Sequence, residues 1–298
     1  MKRLFVVLLL VALPLISVAG EKSSRARSTK ASASAIVDAN GNPVLQSTGA
    51  LVLDPTTGQT LYSKNADHVA PIASITKLMT AMVVIDAKLD GDEAIEITAE
   101  DIDLVKNTSS RLPIGSHFRR DDLLRLALMA SDNRAASALG RNYPGGLPAF
   151  VEAMNAKAHA LGLTQTHYVD SSGLSPSNVS SAQDLGKLVS AASSYPLIRE
   201  YTTTRAVTVQ LPDSKRKMTF QNTNVLVRAS DWNIGLSKTG YINEAGKCLV
   251  MMAMIANQPI VIVLLDSWGR LTRIGDANRI RRWLERNPTK VTASLRAG

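Results

Sequence analysis

The sequence contains little cysteine and few aromatic residues, two kinds of residue that several functional classes require. Cys248 is the single cysteine, which excludes an intramolecular disulfide and any zinc cluster built on cysteines. Only 4% of the residues are aromatic, too few for the broad stacking surface of a protein that binds single-stranded nucleic acid. Hydrophobic residues make up 45% of the chain, which is typical of a globular protein with a substantial core and excludes general disorder.

Long apolar runs are also scarce, and the main one lies at the N-terminus. Lys2 and Arg3 precede an apolar run over residues 4–18, and small residues lead to a cleavage position after Ala19. This pattern predicts a signal peptide over residues 1–19, with an uncleaved anchor as the alternative. We therefore expect a periplasmic protein with at most peripheral membrane contact.

The charge of the chain is strongly basic, with a formal net charge of +9. Such a charge suits an anionic polymer or a membrane surface, and the export signal argues against nucleic acid as the partner. Some of the cations lie in a Ser- and Ala-rich stretch that is typical of a linker. The predicted organisation is a signal peptide over 1–19, a basic linker over 20–46, a folded domain over 47–286 and a polar tail over 287–298.

The hydrophobic pattern of the folded domain changes along the chain from strand-like to helical and back to strand-like. Short apolar runs around a turn-rich tetrad at residues 55–58 predict a hairpin, and the middle of the chain has helical periodicity. The runs at 248–256 and 260–265 are nearly continuous apolar strands, and residues 270–286 form a last predicted helix. This order predicts an α+β fold, with an antiparallel sheet built from both chain ends, flanking helices and an inserted helical subdomain.

A serine and a lysine three residues apart begin the first predicted helix. Positions i and i+3 share one helical face, so the Lys77 amine can reach the Ser74 hydroxyl. A lysine activates a serine nucleophile only if burial or neighbouring cations lower the lysine pKa. The pattern is weak by itself, because it recurs in the charged stretch from Ser214 to Lys217.

A second pattern, Ser131-Asp132-Asn133, lies between two predicted helices. A hydroxyl and an amide two residues apart on a loop can face one spot, which suits a proton relay and a hydrogen bond to an amide substrate. A helix N-cap is the alternative interpretation, since Ser, Asp and Asn all cap helices well. The same pattern recurs at Ser63 and Asn65.

A third pattern, Lys238-Thr239-Gly240, lies on a predicted edge strand. The lysine and the threonine present a cation and a hydroxyl together, and the glycine lets a substrate approach the backbone closely. A carboxylate is the group that this lysine would attract. The alternative is a strand end with a solvated lysine.

The three patterns occur in an order found in β-lactamases and penicillin-binding proteins. Longer stretches extend the likeness, and the chain resembles the low-molecular-mass penicillin-binding proteins of the D-alanyl-D-alanine peptidase group, most of all their endopeptidases. The stretches that carry this resemblance are residues 71–74, 78–84, 143–146, 232–234 and 248–251. Position 132 carries Asp where the endopeptidase pattern has Glu, at a place that points away from the chemistry in that family.

The resemblance implies a serine β-lactamase/DD-peptidase-like fold over residues 47–286 and an acyl-transfer reaction on peptidoglycan. Ser74 would attack a D-alanyl carbonyl while Lys77 takes its proton, and Ser131 would pass a proton to the leaving amine. The implied ligands are peptidoglycan stem peptides and β-lactam antibiotics. No metal or cofactor is implied.

The resemblance also implies which residues bind the substrate. Asn133 would hold the substrate amide, Lys238 and Thr239 would bind its carboxylate, and Gly240 would leave room beside the strand. The backbone N–H groups of Ser74 and Tyr241 would form the oxyanion hole.

Four alternatives remain open at this stage. A D-Ala-D-Ala carboxypeptidase would use the same mechanism, and a class A β-lactamase would need a deacylating carboxylate, for which Glu152 is the nearest candidate. A Ser-His-Asp hydrolase would need one of four histidines, yet no Gly-x-Ser-x-Gly elbow accompanies them. A non-catalytic wall-binding module would fit the charge and the export signal but would leave the Ser74 and Lys77 pair unexplained.

Overall fold

The computed structural model describes residues 37–211 and 216–287. The predicted signal peptide, the first part of the linker and all of the tail beyond residue 287 lie outside the described residues. The folded part begins earlier than residue 47, because Val37 and Pro43 form a β-bridge and Leu45 is buried in the core. Trp283 Nε1 also donates to the Gly41 carbonyl at 2.8 Å, which attaches this turn to the C-terminal helix.

A five-stranded antiparallel sheet forms the centre of the fold. In chain order, the strands of the structure are β1 Gly49–Leu53, β2 Thr60–Lys64, β3 Ala70–Pro71, β4 Ala94–Glu96, β5 His117–Arg119, β6 Val179–Ser180, β7 Ala206–Gln210, β8 Lys217–Gln221, β9 Ile234–Ile242, β10 Gly246–Ile255 and β11 Gln258–Ser267. The large sheet has the order β2-β1-β11-β10-β9. Strand β1 pairs with β11, so the sheet is built from both chain ends, as predicted.

The helices lie on both faces of this sheet. They are α1 Lys77–Asp86, α2 Arg120–Met129, α3 Asn133–Arg141, α4 Gly146–Ala160, α5 Ala182–Ala192, α6 Pro196–Thr203, α7 Val225–Arg228 and α8 Thr272–Arg286. Helix α8 packs on one face through Ile280 and Trp283. Helices α1 and α5 pack on the other face, where Leu51 and Val263 belong to the larger core. Because both faces are covered, β10 and β11 are apolar at nearly every position.

The predicted helices of the middle segment are present, with boundaries shifted by one or two residues. The exceptions are the start of α1, which is preceded by a 3₁₀ turn over Ala73–Thr76, and α6, which the sequence interpretation missed. None of the helices within the described ranges is long and apolar enough to cross a membrane.

Candidate active site

Ser74 lies in the 3₁₀ turn that leads into α1, at the point where this element meets strand β9. The preceding residue, Ala73, has a φ of +48°, a left-handed conformation that is costly for a residue with a side chain. Such conformations concentrate at active sites, where surrounding contacts hold them in place. The backbone around Ser74 is therefore held in a form that the local sequence alone would not favour.

Lys77 begins α1 and is fully buried beneath Ser74. Its Nζ lies 2.9 Å from Ser74 Oγ, 2.7 Å from Asn133 Oδ1 and 2.6 Å from the Ser172 carbonyl oxygen. The amide and carbonyl oxygens can only accept hydrogen bonds, whereas the serine hydroxyl can also donate. A neutral Lys77 amine thus directs its two N–H bonds at Asn133 and Ser172, and its lone pair is left for the Ser74 hydroxyl.

The pKa of Lys77 is lowered by its environment. Burial lowers this pKa from the ordinary lysine value of 10.5 to about 8, although the carboxylates of Asp170, Asp132 and Asp103 act in the opposite direction. Desolvation penalises the ammonium form, so the neutral amine is accessible near neutral pH. A lysine base needs a lowered pKa, and the burial of Lys77 lowers it.

The second motif caps a helix and also contacts the two buried lysines. Asp132 is the N-cap of α3, and its Oδ1 accepts from Ala135 N at 3.0 Å, so the capping interpretation is correct for this residue. The residues on either side, Ser131 and Asn133, contact the two buried lysines instead. Ser131 has a φ of +58°, which turns the chain sharply before the helix begins.

The third motif lies on β9, which is the edge strand of the sheet, as predicted. Lys238 Nζ donates to Ser131 Oγ at 2.8 Å, and Thr239 Oγ1 donates to Thr223 Oγ1 at 2.7 Å. A Cβ atom at Gly240 would lie 2.9 Å from the Ile72 carbonyl oxygen and 3.2 Å from Ser74 N. The glycine therefore allows β9 to pack directly against the backbone of the nucleophile turn.

Lys238 is buried beside two other cations. Burial lowers its pKa well below the ordinary lysine value, and Lys77 and Arg273 lower it further. Arg273, on α8, donates from Nη1 to the carbonyl oxygens of Gly240 at 3.1 Å and Cys248 at 3.2 Å. Arg273 therefore places a guanidinium behind β9, close to the buried amine of Lys238. The sequence analysis did not identify Arg273, since nothing in its local pattern separates it from the other arginines of α8.

A loop over residues 170–178 forms part of the site and was also missed. Asp170 Oδ1 accepts from the backbone N of Ser172 at 2.7 Å and of Gly173 at 2.5 Å, while its Oδ2 accepts from Ser175 N at 2.9 Å and Asn178 Nδ2 at 2.7 Å. These bonds fix the carbonyl that Lys77 contacts. The signal in the sequence was a dense run of Ser, Asn, Gly and Pro after an Asp, which is typical of a turn.

The positions of Glu152 and Cys248 exclude both side chains from the proposed chemistry. Glu152 is exposed on α4, and Asn155 from the same helix bonds backbone groups of Val151 and Tyr168, so this stretch does not supply a deacylating carboxylate. Cys248 is buried, and burial raises the pKa of its thiol to about 11, so it is not a nucleophile. Among residues 37–211 and 216–287, no group of three or more His, Cys, Asp and Glu side chains is placed to hold a metal ion.

The repeated Ser-x-Asn pattern at residues 63–65 is structural. It lies on and beside β2, where Lys64 Nζ donates to the carbonyl oxygens of Leu45 and Ser47 at 2.9 and 2.8 Å. Of the other repeat, Ser214 and Lys215 lie outside the described residues, and Lys217 begins β8. Of the candidate residues, the structure thus brings Ser74, Lys77 and Asn133 together at one point and Ser131 and Lys238 at a second.

Comparison with known proteins agrees with this constellation. The sequence profile described as D-alanyl-D-alanine carboxypeptidase matches residues 33–268. The D-alanyl-D-alanine endopeptidase of Pseudomonas aeruginosa is 50% identical over 254 residues, covering 85% of this chain and 82% of that protein. The D-alanyl-D-alanine endopeptidase of Escherichia coli is 46% identical over 243 residues, covering 82% and 78%.

Solved structures show the same fold. A Streptomyces DD-transpeptidase superposes with a TM-score of 0.76 at 31% identity, covering 81% of this chain and 97% of that one. A penicillin-binding protein of Listeria monocytogenes, in its ampicillin-bound form, superposes with a TM-score of 0.69 at 30% identity, covering 81% and 98%. With the pairing of Ser74 with the buried Lys77, the profile match and these relatives in agreement, this chain belongs to the D-alanyl-D-alanine carboxypeptidase family.

Proposed function

We propose that this chain is a serine D-alanyl-D-alanine endopeptidase that cleaves the D-alanyl-diaminopimelate cross-links of peptidoglycan through a Ser74 acyl-enzyme. The observation that carries the mechanism is the contact of 2.9 Å between Ser74 Oγ and the buried amine of Lys77. The preference for the cross-link is supported by two endopeptidase relatives at 50% and 46% identity, against 32% for a Streptomyces carboxypeptidase.

The first step is acylation of Ser74. The Ser74 hydroxyl proton passes to Lys77 Nζ while Oγ forms a bond to the D-alanyl carbonyl carbon. The negative charge that develops on the carbonyl oxygen is stabilised by the backbone N–H groups of Ser74 and Tyr241. The close packing of Gly240 on the nucleophile turn supports this pair of donors, because Tyr241 directly follows Gly240 on β9.

The second step releases the amine of the acceptor stem. The C–N bond breaks as the leaving nitrogen takes the hydroxyl proton of Ser131, whose Oγ Lys238 contacts at 2.8 Å. Lys77 passes to Ser131 the proton that it took from Ser74 and is a neutral base again. Water then attacks the acyl ester, Lys77 takes a proton from that water, and the Ser74 hydroxyl is restored as the D-alanyl carboxylate leaves. Asn133 aligns Lys77 as well as the substrate amide, since its Oδ1 accepts from the lysine.

The substrate carboxylate on the leaving side is bound by Lys238 and Thr239. Either the cross-link or a terminal D-Ala-D-Ala bond presents a carboxylate there, so these residues accept both substrates. Strand β9 is an edge strand, and an extended peptide can pair with its free side. The stem peptide therefore lies along β9, between the strand and the Ser131 loop.

The mechanism is tested by covalent labelling with benzylpenicillin, which mimics an acyl-D-Ala-D-Ala terminus. Mass spectrometry is expected to show one penicilloyl group on the Ser74 peptide. The Ser74→Ala variant is expected to lose the label while its thermal transition stays nearly unchanged, since only a hydroxyl is removed. Ser63→Ala, at an exposed position of β2, serves as the control and should label normally. A folded protein with an unmodified Ser74 would contradict the mechanism.

The cross-link preference is tested with two purified muropeptides at equal concentration, a cross-linked dimer and a pentapeptide monomer. An endopeptidase converts dimer to monomer faster than the pentapeptide loses D-alanine. The reverse order would identify a carboxypeptidase that uses the same acyl-enzyme.

The location is proposed to be the periplasm, after removal of residues 1–19. The support is the cation pair, apolar run and small-residue cleavage position of the N-terminus, together with the wall substrate. Intact mass measurement of the protein from a periplasmic fraction is expected to give a chain that begins at Gly20. A chain that keeps Met1 in the membrane fraction would show an uncleaved anchor instead.

A further inference from the structure

An ion pair joins the two walls of the active-site cleft. Lys106 Nζ lies 2.5 Å from Glu244 Oε1, and the two residues belong to different parts of the chain. Lys106 lies on the loop that precedes β5, and Glu244 lies in the turn between β9 and β10. The side chains are 21% and 42% exposed, so a ligand from solvent can reach both charges.

Hydrogen bonds hold the loop that carries Lys106 next to Asn133 of the second motif. Asp103 Oδ1 accepts from the backbone N of Val105 and of Lys106, both at 2.9 Å. Asp103 Oδ2 accepts from Thr108 N at 2.9 Å and from Thr108 Oγ1 at 2.6 Å. Thr108 Oγ1 in turn accepts from Asn133 Nδ2 at 2.8 Å. Lys106 is therefore two residues from Thr108, which contacts the side-chain amide of Asn133, the group proposed to bind the substrate amide.

The Glu244 side of the pair lies beyond the oxyanion residue on β9. The proposed leaving-group carboxylate binds at Lys238 and Thr239, and the scissile carbonyl lies at Tyr241. The acyl side of the substrate must then continue past Tyr241 toward the end of the strand. Strand β9 ends at Ile242, and Glu244 lies in the turn just beyond it. Glu244 is therefore placed past the carbonyl position, on the side of the residue that precedes D-alanine.

That residue is diaminopimelate in the cross-linked stem, and the free end of its long side chain bears both an ammonium and a carboxylate. We propose that Lys106 and Glu244 form a subsite that binds this zwitterionic end, with its carboxylate on Lys106 and its ammonium on Glu244. This inference rests on the proposed function for the direction of the substrate. When the zwitterion binds, Lys106 exchanges the Glu244 carboxylate for the ligand carboxylate, and Glu244 exchanges the Lys106 ammonium for the ligand ammonium. No charge is left unpaired.

The test uses cross-linked dimers that differ only at the donor diaminopimelate. One dimer has the free zwitterion, a second has the side-chain carboxylate amidated, and a third has the side-chain amine acetylated. For the unsubstituted protein, kcat/KM is expected to be about three- to tenfold higher on the free zwitterion than on either modified dimer. Lys106→Met is expected to remove the discrimination against the amidated dimer, and Glu244→Gln the discrimination against the acetylated one.

The readout is the ratio of the kcat/KM values for two substrates. A general loss of activity or of folded protein lowers both values equally and leaves the ratio unchanged. Lys157→Met is the matched control, because Lys157 pairs with Asp86 at 2.8 Å with side-chain exposures of 27% and 42%, away from the active-site motifs. Its substrate ratios should equal those of the unsubstituted protein. Equal kcat/KM on all three dimers, in a protein that benzylpenicillin acylates, would overturn the subsite alone. A protein that benzylpenicillin does not acylate would overturn the proposed function itself.

Discussion

At Lys77, hydrogen bonds orient the amine and burial controls its protonation. Its three contacts within 2.9 Å include two oxygens that can only accept, which orients the lone pair of a neutral amine toward the Ser74 hydroxyl. Burial lowers the pKa of Lys77 to about 8. The base form is therefore the one that becomes populated as the pH rises through that value.

The acylation rate is accordingly expected to depend on pH. Only the neutral amine can accept the Ser74 proton, so the rate of penicillin acylation should increase about tenfold between pH 7 and pH 9 and then level off. Stopped-flow measurement of adduct formation checks this profile. Lys77→Arg should be inactive at every pH because arginine keeps its proton, whereas Lys64→Arg, outside the site, should behave normally. A flat profile between pH 6 and pH 10 would argue against Lys77 as base.

At the scale of elements, the loop over residues 170–178 determines where the nucleophile turn lies. Asp170 fixes the loop through its bonds to Ser172, Gly173 and Ser175, and the loop presents the Ser172 carbonyl to Lys77. A Cβ atom at Gly173 would lie only 2.0 Å from the Ala73 carbonyl oxygen. The loop and the nucleophile turn are therefore in direct backbone contact.

Gly173→Ala is expected to damage both stability and catalysis. The residue has a φ of +81° and no room for a methyl group, so the variant should lose about 3 kcal/mol or more of unfolding free energy and acylate slowly. Gly162→Ala is the matched control, because Gly162 has a φ of +66° and nothing within 4 Å of a Cβ atom. It should lose only about 1 kcal/mol, the cost of the left-handed backbone. Chemical denaturation and acylation rates measure both effects, and equal losses would contradict the packing argument.

The charge of Asp170 gives a separate prediction. Its carboxylate is the first of those that raise the pKa of Lys77, against the larger effect of burial. Asp170→Asn should therefore move the midpoint of the acylation profile to lower pH, while Asp170→Glu, which keeps the charge, should leave the midpoint closer to that of the unsubstituted protein. A midpoint that does not move in the Asn variant would show that the loop acts through geometry alone.

At the scale of the whole molecule, the two ends of the folded chain depend on each other. Strand β1 pairs with β11, and α8 covers the sheet that they share. The buried carboxylate of Asp276, on α8, accepts from Ser47 N and Ser47 Oγ, both at 2.7 Å, and from Gln46 N at 3.0 Å. The helix is thus bonded to the segment that leads into β1.

Removing this carboxylate should destabilise the whole domain. Asp276→Ala leaves the buried N–H of Ser47 without its acceptor and Arg279 without its partner at 2.7 Å, so we expect a loss of about 3 kcal/mol of unfolding free energy. Asp231→Ala removes a 61% exposed side chain that pairs with Arg281 of the same helix, and it should change the unfolding free energy by about 0.5 kcal/mol or less. Thermal or urea unfolding distinguishes the two. A similar loss in both variants would rule out a special contribution from Asp276.

The sequence by itself determined the α+β class, the strands contributed by both ends, most of the helices and the three motifs. Each of these depends on residues that are near one another in the chain, so hydrophobic periodicity, capping residues and short spacing are enough to indicate them. The prediction that β9 is an edge strand is also confirmed.

Only the tertiary structure decided how the motifs are completed. The Ser172 carbonyl at Lys77, Arg273 behind Gly240 and the ion pair between Lys106 and Glu244 all join residues far apart in the chain. Their local sequences are those of an ordinary turn, an exposed helix and two solvated charges. Such contacts depend on which backbone segments the packed core brings together. A local sequence pattern carries no information about the distance between two segments that are far apart in the chain. The chemistry of Ser74 was therefore predictable from the sequence, and its environment was not.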